Sequence, residues 1–516
     1  MILVLASTLL GCRTPDPDPP RPPDEAVLTA DTGAIPSAET GPTSDTAARC
    51  PVPVATLDYV GSSTLAVLDV QLAREAPVAA WCRPDVLPDD VLFAESTLPS
   101  TAHELRLRGL AGGLDSTCTV VALCDDGPSE PVSVPAPFRA ITQGLGPLTL
   151  TDGPVEPQGQ VLLSAVSPTG FGITELVAYG PAGRPRWWHR LPPGVLMFVE
   201  ARYHPDDDLI VWGGGMTPGG RPQQVDPWDG PVWTFWSPEA GAVFHHDGKQ
   251  LDDGRVLTLE LWQHAAEGPL AVPYEGYRVR GVDPATQTFF LDVSSETPLA
   301  GGWLDNPDGD ADPWHANWVD LVRGPSSEGP ADPELMLSLC YDWSVLSVEP
   351  TTGEPRWLLR RGEGWTVRDA DGTVLDEEAL PRCTHGLEVD GDRVLLYDNG
   401  QTTDTSSAEE WSLDPATRTA TKLWEWTEPG WQEDFLGDVD WLGADRVVIT
   451  QARLAGIPEV LEVDRSTDEV VRRWDFAGNG RVYRAELLPT CTLLPQLTAA
   501  CPATAARYAE VQSLLQ

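Results

Sequence analysis

The chain has 516 residues with 50 Pro and 47 Gly, and its 41% hydrophobic content is enough for two or three domains with ordinary apolar cores. Its 78 acidic and 34 basic side chains give a formal net charge of -44, which argues against a nucleic-acid partner. No apolar run reaches the roughly 20 residues of a membrane-spanning helix, and the composition favours short strands joined by tight turns.

The first residues of the chain resemble an export signal. Residues 1–12 are apolar and end in Leu9-Leu10-Gly11-Cys12, which resembles the lipobox of bacterial lipoproteins. We therefore predict a signal peptide over 1–12, acylation of Cys12, and an exported protein anchored by lipid at the outer membrane, in the periplasm or at the cell surface. The usual basic residues are missing, so a fortuitous apolar start or a true start further upstream stays open. Residues 13–49, rich in Pro, Asp, Thr and Gly, predict a disordered tether.

Cysteine usage fits an oxidising compartment. Setting Cys12 aside for the lipid leaves an even number of cysteines, which suits disulfides. A zinc site is the alternative use, but the chain contains no paired C-x-x-C motif. Pairing within each of three groups is the simplest expectation, although the sequence leaves the connectivity open. The groups are Cys50, Cys82, Cys118 and Cys124; Cys340 and Cys383; and Cys491 and Cys501.

Residues 50–139 predict a small β-sandwich of the fibronectin type III or immunoglobulin kind. Stretches such as 65–70 and 103–110 alternate between apolar and polar residues, as half-buried strands do. The segment from His103 to Cys124 resembles the E to F strand region of fibronectin type III domains, although Cys118 stands where the corner tyrosine would be. We expect a spacing or docking role for this domain.

Residues 145–490 contain a sixfold repeat. One unit is a strand, an acidic or Gly-Pro turn and a strand rich in aromatic residues: AYGPAGRPRWW (178–188), VDPWDGPVWTF (225–235), VDPATQTFFLD (282–292), VEPTTGEPRWLL (348–359), LDPATRTATKLWEW (413–426) and VDRSTDEVVRRWDF (463–476). A second unit, a turn followed by an apolar strand, accompanies each copy: 158–166, 206–214, 252–260, 333–339, 390–398 and 443–451. Two such units make four strands, so the repeat predicts an all-β, six-bladed propeller that residues 481–487 close and a C-terminal tail over 491–516 follows.

Three histidines fall at corresponding places in consecutive repeats, just before the strand that leads to the turn of the second unit. They are His246 in FHHDG, His315 in WHAN and His385 in CTHG. In a propeller that strand is the innermost, so these positions converge on the central axis. His245 adjoins the site, but in an extended strand its side chain points away. Hydrogen bonding within a propeller, without catalysis, is the other interpretation of these histidines.

At these residues the chain resembles the bacterial arylsulfate sulfotransferase family, over most of residues 145–490. The resemblance rests on the VDPAT hairpins, the HHD and WHAN sequences, and the segment from His385 to Tyr397-Asp398-Asn399-Gly400, all in the family's order. It implies a six-bladed propeller with an added β-domain. It also implies that a histidine is sulfated transiently while a sulfuryl group passes from an aryl sulfate to a phenol.

Carried over residue by residue, the resemblance implies that His385 is the nucleophile. His246, His315 and Asn317 would be the acid/base and oxygen-binding partners. A neutral imidazole is nucleophilic near neutral pH, and a second histidine can protonate the departing phenolate. This chemistry requires neither a metal nor an organic cofactor. The implied partners are a small-molecule aryl sulfate and a phenol, and the oligomeric state stays open.

The chain departs from the family pattern at two places. The family has an Arg where this chain reads Ser338-Leu339-Cys340, and it has an Asp after the nucleophile where this chain has Gly386. We expect Arg382 to substitute as the substrate-binding guanidinium, with Arg484 as a remoter candidate. We also expect a disulfide between Cys340 and Cys383 in place of the missing charge.

These departures keep other interpretations open. The main alternative is a surface binding or adhesion propeller that kept the scaffold and lost the reaction, and a quinoprotein-like propeller is a weaker one. The acidic loop 305–312 has the carboxylates for a calcium site, but it fits no full EF-hand pattern, and a solvated loop is favoured.

Overall fold

The computed structural model describes residues 49–60, 64–137, 147–151, 160–167, 175–191, 199–214, 222–235, 243–264, 274–305, 312–327, 332–401, 403, 405–453, 456–476 and 481–515. The predicted signal peptide, the acylated Cys12, residues 13–48 of the predicted tether and residues 306–311 of the acidic loop lie outside these ranges. The described residues form an all-β fold with three α-helices, which confirms the predicted class. None of these helices is both long and apolar enough to span a membrane.

The segment predicted as a sandwich forms one six-stranded sheet. Its two long strands pair from Leu65 with Arg108 to Cys82 with Leu92, and their register shifts beyond Gln71. The opposite edge of the long second strand is shared by two partners. Its N-terminal half pairs with the first strand, and its C-terminal half pairs with the fourth strand. The strands are β1 (Val54–Tyr59), β2 (Leu65–Pro84), β3 (Leu92–Arg108), β4 (Ser116–Cys124), β5 (Gly127–Pro128) and β6 (Val132–Ala136).

The following residues form six sheets of four or five strands, which we number 1 to 6. Sheet 1 contains β8 (Gln160–Ser167), β9 (Glu175–Tyr179), β10 (Pro185–Arg190) and the late strand β32 (Arg481–Pro489). Sheet 2 contains β11 (Val199–His204), β12 (Leu209–Gly214), β13 (Gln223–Asp226) and β14 (Gly230–Thr234). Sheet 3 contains β15 (Val243–Gln250), β16 (Val256–His264), β17 (Tyr274–Asp283) and β18 (Thr288–Ser294).

The remaining sheets repeat this order. Sheet 4 contains β19 (Ala316–Val322), β20 (Glu334–Leu339), β21 (Ser344–Val348) and β22 (Pro355–Leu359). Sheet 5 contains β24 (Thr384–Asp390), β25 (Arg393–Asp398), β26 (Ser407–Asp414) and β27 (Thr419–Trp426), with β23 (Thr366–Asp369) added in parallel. Sheet 6 contains β28 (Asp438–Leu442), β29 (Arg446–Gln451), β30 (Glu459–Asp464) and β31 (Glu469–Asp475), with β7 (Thr149–Thr151) at its edge. Helix α1 (Glu296–Ala300) and a 3-10 helix (Glu377–Ala379) lie in connections.

The predicted repeat units match these strands. The first unit is the hairpin of the last two strands of each sheet, and the second unit supplies the strand before it. The recurring acidic residue caps the hairpin turn, since a carboxylate oxygen of Asp283 accepts from the backbone N–H groups of Ala285 and Thr286 at 2.8 and 3.2 Å. Such Asx turns explain why the acid recurs at this place in the repeat.

The six sheets contact one another in a closed cycle. With β32 counted as the first strand of sheet 1, the first strand of every sheet contacts the first strands of both neighbouring sheets. An apolar cluster is buried between every pair of neighbours. Arg202 of sheet 2 forms an ion pair with Asp440 of sheet 6 at 2.7 Å, so first strands that are not neighbours also meet. Buried tryptophans fill the clusters: Trp187, Trp233, Trp314, Trp318, Trp357, Trp365, Trp411, Trp426, Trp431 and Trp474.

The last residues, predicted as a C-terminal tail, pack against the N-terminal sheet. They form α2 (Thr490–Leu493) and α3 (Pro502–Leu514), and Val511 is buried among Trp81, Phe93 and Val121. The Cys491–Cys501 disulfide joins α2 to the start of α3. The N-terminal sheet therefore gains part of its core from the opposite end of the chain.

We predict that Val511→Ala lowers the free energy of unfolding by about 2 kcal/mol, because it removes buried methyl groups and leaves a cavity. Leu514→Ala is the matched control, since Leu514 is exposed on the same helix and its change should stay within about 0.5 kcal/mol. Urea unfolding of both variants measures the difference, and equal effects would show that α3 does not dock as described.

Candidate functional site

The first strands of sheets 1, 3, 4 and 5 are each interrupted by a register shift at the same end. The shifts fall between Phe244 and Gly248, Ala316 and Trp318, His385 and Leu387, and Val482 and Ala485. His246 and His315 have φ angles of 55° and 48°, in the left-handed region that such residues seldom adopt. Bulges of this kind redirect side chains, and here they turn side chains of separate sheets toward one another.

The structure brings His246, His315 and His385 together. The Nε2 atoms of His246 and His315 lie 3.1 Å apart, and the rings of His246 and His385 have centroids 6.0 Å apart. His246 and His385 are buried, whereas His315 keeps some exposure. Residues from three consecutive sheets thus share one cluster.

His245 belongs to this cluster as well, so the expectation that its side chain points away is wrong. Its ring centroid lies 3.9 Å from that of His246 and 4.8 Å from that of His315. The expectation assumed an extended strand, but the left-handed φ of His246 breaks the alternation of side chains. The Nδ1 atom of His245 donates to the carbonyl oxygen of Ala316 at 2.8 Å.

His385 is held in one tautomer by Asn399. The amide nitrogen of Asn399 donates to the carbonyl oxygens of Glu433 and Leu436 at 3.0 and 2.8 Å, which fixes the orientation of its amide. Its Oδ1 therefore faces Nδ1 of His385 at 2.6 Å and accepts that proton. The lone pair of His385 is consequently on Nε2. Burial lowers the pKa of His385 well below its usual value, so the ring is neutral.

Arg484, expected only as the remoter candidate after Arg382, supplies a guanidinium to the cluster. It is buried, its Nη2 donates to the carbonyl oxygen of Asn317 at 2.7 Å, and it forms ion pairs with Asp247 and Asp438 at 3.6 and 3.8 Å. After burial and neighbouring histidines, its positive charge is a further cause that lowers the pKa of His246. Arg484 lies on β32, in the segment 481–487 that the sequence predicts as the closing strand.

Arg382 lies elsewhere, so the structure does not place it as the expected substitute. Its Nη2 donates to Glu378 at 2.8 Å, and its guanidinium lies 5.9 Å from the ring centroid of Trp343. Cys383, the next residue, has a φ of 37°, which redirects the chain between Arg382 and His385. Counting residues along an extended strand could not anticipate this.

Asn317 is buried with both polar atoms of its side chain lacking a hydrogen-bond partner among the described residues. It is the residue left unpaired by the bulge in β19. Buried amide groups are nearly always hydrogen-bonded in proteins, so a buried amide without a partner calls for an explanation. A bound ligand would supply the missing hydrogen-bond partner of this amide.

The two departures from the family pattern have a structural explanation. A Cβ atom at Gly386, whose φ is 61°, would lie 2.1 Å from Oδ1 of Asp438, so this carboxylate from sheet 6 occupies the space beside His385. The expected disulfide between Cys340 and Cys383 is confirmed, and it links sheets 4 and 5 two residues before His385. The other pairs, Cys50–Cys124, Cys82–Cys118 and Cys491–Cys501, also fall within the expected groups.

Two tyrosines and one aspartate complete the cluster. The sequence indicates no role for either tyrosine, and it marks Asp312 only as the last residue of the acidic loop. The hydroxyl of Tyr483 lies 3.0 Å from Nδ1 of His246, and the half-exposed ring of Tyr341 stacks on His315 at 4.5 Å. Nδ1 of His315 donates to Asp312 at 2.5 Å. Burial would raise the pKa of Asp312, but the hydrogen bond from His315 lowers it overall.

Two groups of side chains have the spacing of metal ligands. His245, His246 and His315 offer ligand atoms that lie within 4.8 Å of one another. Cys340, Cys383 and His385 have similar spacing, but the two sulfurs are joined in a disulfide and offer no thiolate.

Comparison with known proteins assigns no family. No family model and no curated protein matches the chain. Among solved structures, the chain is similar to Polycomb Repressive Complex 2 of Chaetomium thermophilum bound to GSK126, at 10% identity and a TM-score of 0.35, over 62% of this chain and 73% of that one. It is also similar to a protein of unknown function from Dyadobacter fermentans, at 10% identity and a TM-score of 0.28, over 83% and 94% of the two chains. Likenesses this low assign no function.

We predict that His385 is neutral and protonated on Nδ1 at about pH 6, where an ordinary histidine is mostly charged. Nitrogen-15 NMR of the imidazole groups distinguishes the two tautomers and the imidazolium, and the His385→Asn variant assigns the signal. An imidazolium spectrum, or a proton on Nε2, would contradict the arrangement around Asn399.

Proposed function

We propose that the six sheets are the blades of a six-bladed β-propeller and that the N-terminal sheet is the predicted fibronectin-like or immunoglobulin-like domain. The closed cycle of first-strand contacts and the apolar cluster between each pair of neighbours support the propeller. We further propose an exported, lipid-anchored protein. The four disulfides support an oxidising compartment.

We infer that the chain is an aryl-sulfate sulfotransferase-like enzyme with His385 as its nucleophile. The observation that carries this inference is the tautomer of His385. Its Nδ1–H is committed to Asn399, so the lone pair on Nε2 is held in a buried cluster with a guanidinium. A neutral, oriented imidazole is what nucleophilic attack at sulfur requires.

The reaction would proceed in two balanced steps. Nε2 of His385 attacks the sulfur, the bond between sulfur and the aryl oxygen breaks, and a proton from His315 passes to the departing phenolate. The acceptor phenol then returns a proton to His315 while its oxygen attacks the sulfur and the N–S bond breaks. Asp312, hydrogen-bonded to Nδ1 of His315, orients that ring so that its Nε2 exchanges the proton.

The sulfuryl oxygens would be held by Arg484 and Asn317. Charge develops on these oxygens in the transition state, as in phosphoryl transfer, so nearby donors lower the barrier. The amide of Asn317 is buried without a partner among the described residues, and Arg484 donates to the carbonyl of the same residue. The exposed face of Tyr341 offers an aromatic surface for the aryl group.

A second candidate function is binding without catalysis. It is favoured by the carboxyl groups of Asp247, Asp312 and Asp438 around the cluster and by the disulfide at Cys340, where the resembled family carries a guanidinium. An assay for turnover separates the two candidates.

We predict that the full chain, incubated with a chromogenic aryl sulfate and no acceptor, releases about one equivalent of phenolate per protein and gains the mass of one sulfuryl group on the His385 peptide. Addition of a phenol should start turnover. His385→Asn should lower the rate by roughly a thousandfold or more, whereas His189→Asn, the same change in sheet 1, should leave it unchanged. A wild type without phenolate release, or unaffected activity in His385→Asn, would reject the catalytic proposal.

We also predict that Asn317→Ala lowers kcat/KM by about 100-fold to 1,000-fold, as does the loss of one oxyanion donor elsewhere. Because the amide has no partner among the described residues, its removal should not lower the free energy of unfolding. Kinetics and urea unfolding of the same preparation test both parts. A large loss of stability would show instead that Asn317 is a structural residue.

A further inference from the structure

We propose that His245, His246 and His315 bind one divalent transition-metal ion through their Nε2 atoms. The proposal rests on the geometry of these residues and holds whether or not the chain transfers sulfuryl groups. It departs from the expectation of metal-free chemistry that the family resemblance implies.

The three rings each have a nitrogen within 4.8 Å of a nitrogen of the other two. Nε2 of His246 and Nε2 of His315 are 3.1 Å apart, and Nε2 of His245 is buried with no hydrogen-bond partner among the described residues. Two nitrogens bound tetrahedrally to zinc at about 2.0–2.1 Å lie roughly 3.3 Å from each other. Since the ligand atoms lie within 4.8 Å of one another, at most about 1.5 Å of closing completes the site.

Each imidazole is oriented by an outer partner on its Nδ1 atom. Nδ1 of His315 contacts Asp312 at 2.5 Å, Nδ1 of His245 contacts the carbonyl oxygen of Ala316 at 2.8 Å, and Nδ1 of His246 contacts the hydroxyl of Tyr483 at 3.0 Å. Histidine ligands of metals nearly always have such a partner, because it fixes the tautomer and leaves the Nε2 lone pair for the ion. The 3.1 Å contact between Nε2 of His246 and Nε2 of His315 is a hydrogen bond when the hydroxyl of Tyr483 donates to Nδ1 of His246, and a bound ion would replace it.

The charge around the cluster also favours a cation. The guanidinium of Arg484 is flanked by Asp247 and Asp438, and Asp312 lies on the far side of His315. A divalent ion would offset the excess of carboxylates.

Three imidazoles with an open fourth position are typical of catalytic zinc sites, and we therefore assign zinc as the ion. His315 is partly exposed, and the exposed ring of Tyr341 stacks on it, so a substrate atom would reach an ion held there from this side. If the proposed sulfuryl transfer is correct, an ion on Nε2 of His315 would occupy the atom that exchanges the proton with the phenol, so metal binding would inhibit the transfer. That consequence rests on the proposed function, but metal binding itself does not.

The test uses the full chain with its disulfides intact, freed of metal with a chelator and titrated with Zn²⁺ by calorimetry. We expect one tight site per chain. Titration with Co²⁺ should produce the intense visible absorption of a four-coordinate nitrogen site, which carboxylates on this acidic surface would not produce. His245→Gln should abolish that absorption, and Asp312→Asn, which keeps all three ligands, should weaken binding about 10-fold to 100-fold.

The control is His385→Asn, which should bind Zn²⁺ as the wild type does even though it is expected to lose transferase activity. Loss of activity with intact binding, or binding in a wild type without activity, therefore separates the two proposals. Absence of the Co²⁺ absorption in the folded wild type, or an unchanged spectrum in His245→Gln, would overturn the metal site. Circular dichroism shows whether each variant is folded. If a variant does not fold, the Co²⁺ spectrum of the wild type still tests the metal site.

Discussion

The guanidinium of Arg484 lies buried where four of the six sheets meet. Arg484 itself belongs to sheet 1, and its partners Asp247, Asn317 and Asp438 belong to sheets 3, 4 and 6. A buried charge is costly unless it is paired and hydrogen-bonded, so these contacts fix the sheets relative to one another. Sheet 5 also contacts this site at Gly386, where Asp438 occupies the space that a Cβ atom would need, so only glycine fits there.

The sequence predicts the parts of the fold that are periodic. The all-β class, the hairpins and the matching positions of His246, His315 and His385 follow from a repeat that can be counted along the chain. The cysteine groups follow from the number and positions of the cysteines. The remainder depends on bulges. His245, expected to point away, joins the cluster because His246 has a left-handed φ, and Arg382, expected in the site, lies with Glu378. Nothing in the residue types at these positions signals a bulge.

The cluster balances two demands that conflict in a chain with a net charge of -44. Neutral, buried imidazoles suit both nucleophilic attack and metal binding, whereas an anionic sulfate needs positive charge nearby. Arg484 supplies one charge, yet Asp247 and Asp438 flank it. A cation at the three histidines would restore a positive field beside His385 without exposing it to solvent. The two proposals nevertheless compete for Nε2 of His315, and each can fail alone.

The most direct test of this account is a crystal structure of the full chain soaked with zinc and a slowly reacting aryl sulfate. The account predicts electron density for the sulfate between Nε2 of His385, the guanidinium of Arg484 and the amide of Asn317, with the first strands of all six sheets around it. A sulfate bound on the rim, or histidine rings that face apart, would contradict the convergence on which both proposals depend.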